Sequence, residues 1–267
     1  MNMKIVLIVQ ARMNSSRLPG KVLKPFLKKE PLIGVLLKRL KKVKKINELI
    51  VSTSSEKKDD PLIDFLKKKK IKFFRGSEKD TLERFYYTAI KTRAKIIIRI
   101  TADCPLSDPK LIDSFINTFQ KKKPDYLANT FNIRNKLNGY WNAYPDGFDI
   151  EIFTFNLIKK IYQQHKKKFR KEGAVLGYFL KKNLSFRNKI KMLNMKLPYE
   201  INNNIKLSID NSKNFKLVKS IFNYFDPNIY FSFSDVMEYL DMKKKNIKQS
   251  SGIKLWNKAN KLILGGN

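Results

Sequence analysis

Between residues 4 and 130, short apolar runs rich in β-branched residues alternate four times with capped amphipathic stretches, and few folds accommodate that pattern. The first run, "KIVLIVQ" (4–10), is nearly continuously apolar, as a strand buried on both faces requires. "ELIVSTS" (48–54), "IKFFRG" (71–76), "KIIIRITADCP" (95–105) and "DYLANT" (125–130) continue the series. Between them, "PLIGVLLKRLKKV" from Pro31 places apolar residues at helical spacing behind a first-turn proline. "DPLIDFLKKKK" begins with Asp60 as cap and Pro61 at its first position. "SEKDTLERFYYTAIKTR" opens on a Ser-x-x-Asp capping signature, and "SDPKLIDSFINTFQKK" has Pro109 near its start. The alternation predicts an α/β domain with a doubly wound, mostly parallel, Rossmann-like sheet and right-handed crossovers.

Past residue 130 the pattern loosens. "NKLNGYWNAYPDGFDIEIFTF" reads as a Gly/Asn-rich turn, an alternating strand and then a helix from about Asn156. "IKLSIDNSKNFKLVKSIFNYF" reads as a strand, a capped start at Asp210–Ser212 and a helix, and "FSFSDVMEYLDM" as a last short helix capped by Ser234. Residues 1–242 therefore form the main domain, and 243–267 a linker and helical tail that starts with a lysine-rich segment.

Composition narrows the function classes. The chain has 267 residues, 42% of them hydrophobic, enough to bury a proper core. No apolar stretch approaches the length of a membrane span, and "KIVLIV" runs into arginine rather than a small-residue cleavage site. A single cysteine, Cys104, excludes an internal disulfide framework, and a single histidine, His165, excludes a His-rich metal site. These features predict a cytoplasmic protein with no membrane insertion. The formal charge of +34 invites a basic nucleic-acid-binding module as an alternative. However, the excess is mostly lysine in runs such as "KKVKK" and "KKKK", the pattern of solvated helix ends, and specific nucleic-acid recognition does not follow from it.

In doubly wound sheets, ligands bind outside the carboxyl ends of the strands. There the first strand delivers "QARMNSSRLPGKVLKP", with Arg12, Arg17 and Lys21. The second delivers Thr53 and Ser54, the third Arg75, Gly76 and Ser77, the fourth Asp103, and "LSID" delivers Asp210. Cations on a glycine-containing loop suit a polyphosphate, with arginine offering bidentate contacts and lysine a compact charge. Two isolated carboxylates could hold Mg²⁺, which completes its shell with phosphate and water. Each part also has a plainer reading: the loop as a solvated basic turn, Asp103 as a cap before Pro105, Asp210 as a helix cap. A metal-dependent glycosyltransferase of similar fold would want an Asp-x-Asp motif, and "ADCP" offers one carboxylate.

Several motifs, in order, resemble one family. "VQARMNSSRLPGKVLKP", "DDPLIDFLKKKKIKFFRGSEKDTLERFYYTAI", "IIRITADCPLSDPKLID", "YPDGFDIEIFTF" and "LSIDNSKNFKLV" together resemble the bacterial CMP-sugar synthetases, the cytidylyltransferases of the spore-coat polysaccharide type. Acylneuraminate and 3-deoxy-manno-octulosonate cytidylyltransferases are more distant look-alikes. The resemblance covers about residues 4–225. It implies a nucleotide-diphospho-sugar transferase fold, Mg²⁺-dependent transfer of CMP from CTP to a small acidic acceptor, and a cytoplasmic homodimer formed through a small arm at about 131–150. It implies that Arg12 and Lys21 cradle the triphosphate with Ala11 and Arg17, and that Asp103 and Asp210 hold the metal. Ser52, Thr53, Arg75 and Ser77 would surround base and ribose, and Asp146, Asp149 and Glu151 would lie near the acceptor. The sequence departs from the family in "FRKEGAVLGYF", which lacks an Arg-Glu-His-Val-like motif, and in "IDNSKNF", which keeps the Asp but loses a proline. The tail, "SGIKLWNKANKLILGGN", resembles the opening helix of class III pyridoxal-phosphate aminotransferases; it is expected either to begin a fused partner domain, in which case the acceptor would be an amino-bearing compound, or to be a plain docking helix.

Overall fold

The computed structural model describes residues 3–129, 144–164, 175–197 and 205–243. Most of the expected arm, His165 and the tail from residue 244 lie outside those residues. Strand β1 (Ile5–Gln10) forms the centre of the sheet, and its residues Ile5 to Val9 are at most 3% exposed. Such burial stabilises by about 1.5–3 kcal/mol per large aliphatic side chain, which explains the continuous apolar run.

The chain continues through a small hairpin, β2 (Pro25–Leu27) and β3 (Glu30–Pro31), into α1 (Leu32–Leu40). It then alternates β4 (Glu48–Ser54), α2 (Asp60–Lys68), β5 (Phe73–Gly76), α3 (Thr81–Thr92), β6 (Ile96–Thr101) and α4 (Pro109–Lys122). The remaining elements are β7 (Tyr126–Ala128), β8 (Glu151–Thr154), α5 (Phe155–Gln164), α6 (Gly177–Lys182), α7 (Leu184–Arg187), β9 (Met192–Asn194) and α8 (Ser212–Phe225). The main sheet has the order β5-β4-β1-β6-β8-β7-β9. Only β8 is reversed, antiparallel to both β6 and β7. The expected mostly parallel α/β sheet is therefore observed.

Alternation along β1 sorts its side chains onto two faces. Leu7 and Val9 pack with Leu36 of α1, Leu66 of α2 and Phe115 of α4. Val6 and Ile8 pack on the other face with Phe85 of α3 and Ile158 of α5. A third cluster joins Phe26 of the hairpin to Phe222 of α8 and to Val236, in a helical stretch over 233–243. Arg39 of α1 is fully buried beside this cluster and donates to the carbonyls of Ser107 (3.2 Å), Leu106 (3.1 Å), Phe231 (3.0 Å) and Ile229. Its guanidinium lies 4.6 Å from the Phe231 ring centroid, so a single cation ties the C-terminal layer to the loop after β6. Burial lowers its pKa to about 10. Among the described residues, no helix is long and apolar enough to cross a membrane.

Several local expectations differ from the structure. "IKLSID" is an extended crossing segment rather than a strand, tied by Leu207 N–H to Asp146 O (2.9 Å) and Ile209 N–H to Asp103 O (2.8 Å). Asn211, not Asp210, caps α8 and accepts from Asn214 N–H at 2.9 Å. Asp80 caps α3, three residues beyond Ser77, and Asp60 is the first residue of α2 rather than its cap. The last helix is closed by Ser232 and Asp235, whose side chains accept from each other's backbone N–H groups, rather than by Ser234.

Candidate active site

The sheet order turns between β1 and β6: the chain leaves β1 for β4 and β5 on one side, then returns to β6 on the other. Loops leaving such a pair of strands diverge and open a crevice at their carboxyl ends. Gln10 and Thr101 end the two strands in register. Beyond them lies a cavity of about 390 Å³ lined by the β1 loop, the β6 loop, the segment around Asp146 and the crossing segment at 208–210.

The β1 loop is pinned at its neck. Ala11 N–H donates to Ser52 O at 3.1 Å, and Met13 O accepts from Ser15 N–H (3.0 Å) and Gly20 N–H (2.9 Å). Gly20 has φ +67°, a left-handed conformation that glycine adopts without steric cost. The chain then enters a short 3-10 turn, Lys21–Leu23, which aims Lys21 inward so that the residue is only 8% exposed. Its Nζ donates to Asp103 Oδ2 (2.8 Å) and Ile209 O (2.7 Å) and stands 3.7 Å from Asp210 Oδ1. Lys21 is thus the stitch between two carboxylates carried by different elements. Burial pushes the Asp103 carboxyl up, but the Lys21 charge and hydrogen bond, helped by Thr101, outweigh it and leave its pKa below the usual value. Arg17 pairs with Asp210 at 2.7 Å, and Lys206 pairs with the other Asp210 oxygen and lies 3.7 Å from Asp146. Asp210 is free to serve these cations because Asn211 does the capping.

The segment carrying Asp146 and Asp149 is welded to the crossing segment. Gly147 has φ +109°, and a Cβ there would lie 2.5 Å from the Leu207 carbonyl carbon, so only glycine permits the approach. Asp149 faces the cavity with no hydrogen bond or ion pair to a described residue. Burial, reinforced by Asp146, raises its pKa to about 7.

The structure thus brings Ala11, Arg12, Arg17, Lys21, Asp103, Asp146, Asp149 and Asp210 around one cavity. It places the other expected residues elsewhere. Ser52 and Thr53 are fully buried, with Ser52 Oγ 3.2 Å from Thr88 Oγ1 and Thr53 Oγ1 donating to Asp59 Oδ2 at 3.0 Å. Arg75 donates to Ser54 O and Glu56 O and pairs with Asp60, and Ser77 Oγ accepts from Asp80 N–H. Glu151 lies beneath the cavity, bonded to Arg99, which itself lines the cavity and also donates to Gln10 Oε1. Sequence reasoning passed over Arg99, although one arginine inside the apolar run "IIIRIT" is the signal that would have found it.

The set suits an Mg²⁺–triphosphate. Among the described residues, no three His, Cys, Asp or Glu side chains converge as a protein-only metal cage. Magnesium instead takes one or two carboxylates and completes its shell with phosphate and water, and the Asp103–Asp210 pair, already bridged by a cation, fits that need.

A mostly parallel sheet with cations and isolated carboxylates at its switch point suits a phosphorylated ligand, and the fold is that of the α/β nucleotidyltransferases it resembles. The cytidylyltransferase family model matches residues 6–247, and the chain belongs to that family. It is 33% identical over 256 residues to an uncharacterized protein of Methanocaldococcus jannaschii, covering 93% of this chain and 98% of the relative. It is 33% identical over 165 residues to the spore coat polysaccharide biosynthesis protein SpsF of Bacillus subtilis, covering 60% of this chain and 67% of SpsF. Among solved structures it resembles a cytidylyltransferase from Leptospira borgpetersenii with a TM-score of 0.79 and 30% identity, over 91% of this chain and 96% of that one.

Proposed function

We propose that the protein transfers CMP from CTP to an oxygen of a sugar acid or similar small metabolite, releasing pyrophosphate, for surface polysaccharide or glycan synthesis. The observation that carries this reading is Lys21 Nζ bridging Asp103 and Asp210 at the mouth of the β1 loop. Triphosphate oxygens bring the negative charge that Arg12, Arg17 and Lys21 are placed to meet. Arg17, with 61% of its side chain exposed, can exchange Asp210 for a phosphate at little cost. Asp103 and Asp210 would hold Mg²⁺, which supplies charge neutralisation at the phosphates when bound.

The reaction is an in-line displacement at the α-phosphorus. The acceptor oxygen forms the new P–O bond and, where it is a hydroxyl, gives its proton to solvent or a cavity carboxylate; the bond to the bridging α–β oxygen breaks, and pyrophosphate leaves with the electron pair. Positioning and charge stabilisation carry most of the acceleration in such transfers, so no covalent nucleophile is needed. Asp146 and Asp149, which line the same cavity, would meet the acceptor, and the family that the motifs resemble supplies the acceptor class. A pyrophosphate-release screen of the four nucleoside triphosphates against sugar acids, amino sugars and phosphonates tests the reading. Release that requires CTP and one acceptor supports it; none with any pair refutes it.

A further inference from the structure

Asp59 stands at the cap position of α2, yet its side chain does not cap that helix. The residue is fully buried and its carboxylate collects four donors. Oδ1 accepts from Met13 N–H at 2.6 Å, and Oδ2 accepts from Thr53 Oγ1 (3.0 Å), Ser54 N–H (3.1 Å) and Ser54 Oγ. Three of these come from the end of β4. The fourth comes from the residue whose carbonyl closes the neck of the β1 loop on Gly20. Met13 is therefore held from both sides, by Asp59 at its N–H and by Gly20 and Ser15 at its C=O. Of the strand-end hydroxyls, those of Thr53 and Ser54 orient this carboxylate, while that of Ser52 meets Thr88.

We propose that Asp59 is a positioning residue for CTP. By fixing Met13 it sets the backbone from which Arg12, Arg17 and Lys21 reach the triphosphate. The inference rests on the cytidylyltransferase reading of the site. Charge-assisted hydrogen bonds of this kind are among the stronger ones in proteins, and this one acts on the geometry of a binding loop rather than on a reacting atom.

Asp59→Asn is the informative change. The amide oxygen keeps most partners on the Oδ2 side, where three donors converge, and this turns its NH₂ toward Met13 N–H. The substitution thus cuts the loop bond and leaves the bonds to β4. The KM for CTP is expected to rise about tenfold or more, equivalent to about 1.4 kcal/mol, with kcat at saturating CTP within about threefold of the parent. An unchanged KM, or a loss confined to kcat, overturns the proposal. Native hydrogen exchange on the unsubstituted protein gives an independent reading whether or not the variant folds. The Met13 amide should be protected like Val9 in β1; exchange as fast as an open loop overturns the anchor. If the parent fails to turn over CTP while Met13 is protected, cytidylyl transfer fails and the anchor stands.

Discussion

Replacing Lys21 with Met keeps the length of the side chain and removes its charge. It deletes the bonds to Asp103 Oδ2 and Ile209 O and the neighbouring charge at Asp210. Exposed ion pairs contribute about 0–1 kcal/mol and breaking a buried one costs about 3–5 kcal/mol. The side chains of Lys21, Asp103 and Asp210 are 10%, 26% and 12% exposed, which puts this stitch between those limits. A loss of about 2–3 kcal/mol follows, which for a domain of this size lowers Tm by about 4–10 °C. The pH dependence fixes the cause. Lys21 holds the folded-state pKa of Asp103 below its ordinary 3.8, so that part of the stability is complete above the ordinary value. It is lost as pH falls through the lowered one. Thermal unfolding of parent and variant should therefore show the full gap at pH 7 and a smaller gap as the carboxylate protonates in acid. A Tm within about 1 °C of the parent at pH 7 would refute the stitch, and a gap that does not narrow in acid would refute its electrostatic origin.

Gly147→Ala should destabilise by about 2–4 kcal/mol in urea unfolding, because the added Cβ meets the Leu207 backbone and the residue must hold φ +109°. Since the same contact sets the segment before Asp210, the variant should also weaken CTP turnover beyond its loss of folded protein. Asp149→Asn tests the raised acid. Asp146, Glu151 and Asp103 push its pKa up while Arg99 pulls it down, with burial the largest influence. A folded-state pKa near 7, above the unfolded 3.8, means that the ionised form burdens the fold increasingly as pH rises through that window. The variant should gain stability relative to the parent between about pH 4 and pH 7, with the gain constant above; a gain independent of pH would contradict the burial.

The strand–helix alternation made the sheet legible, because β1, β4 and β6 are buried runs that no polar residue interrupts for long. The cationic half of the site was legible for a similar reason, since loops at strand ends follow from topology. What stayed hidden depends on which of two adjacent residues takes a job. In "IDNS" both Asp210 and Asn211 can cap; the backbone gives the cap to Asn211 and leaves Asp210 for the cavity. In "DDP", Asp60 looks like the helix cap, while Asp59, unremarked beside it, joins the β1 loop to β4. Ser52 and Thr53 end a strand in the right place, but both hydroxyls are buried, that of Ser52 against Thr88 of α3 and that of Thr53 against Asp59 just before α2. The small hairpin β2–β3 and the edge strand β9 have too few residues to show a period in sequence.

Asp103 and Asp210, bridged by Lys21, are proposed as the metal-and-triphosphate half of a CTP site. The most direct test is CTP binding by calorimetry with and without Mg²⁺, on the parent and on Asp103→Asn. Tight binding to the parent that requires Mg²⁺, and its loss in a variant that melts like a folded protein, is the predicted result. Mg²⁺-dependent CTP binding that survives Asp103→Asn unchanged would contradict it.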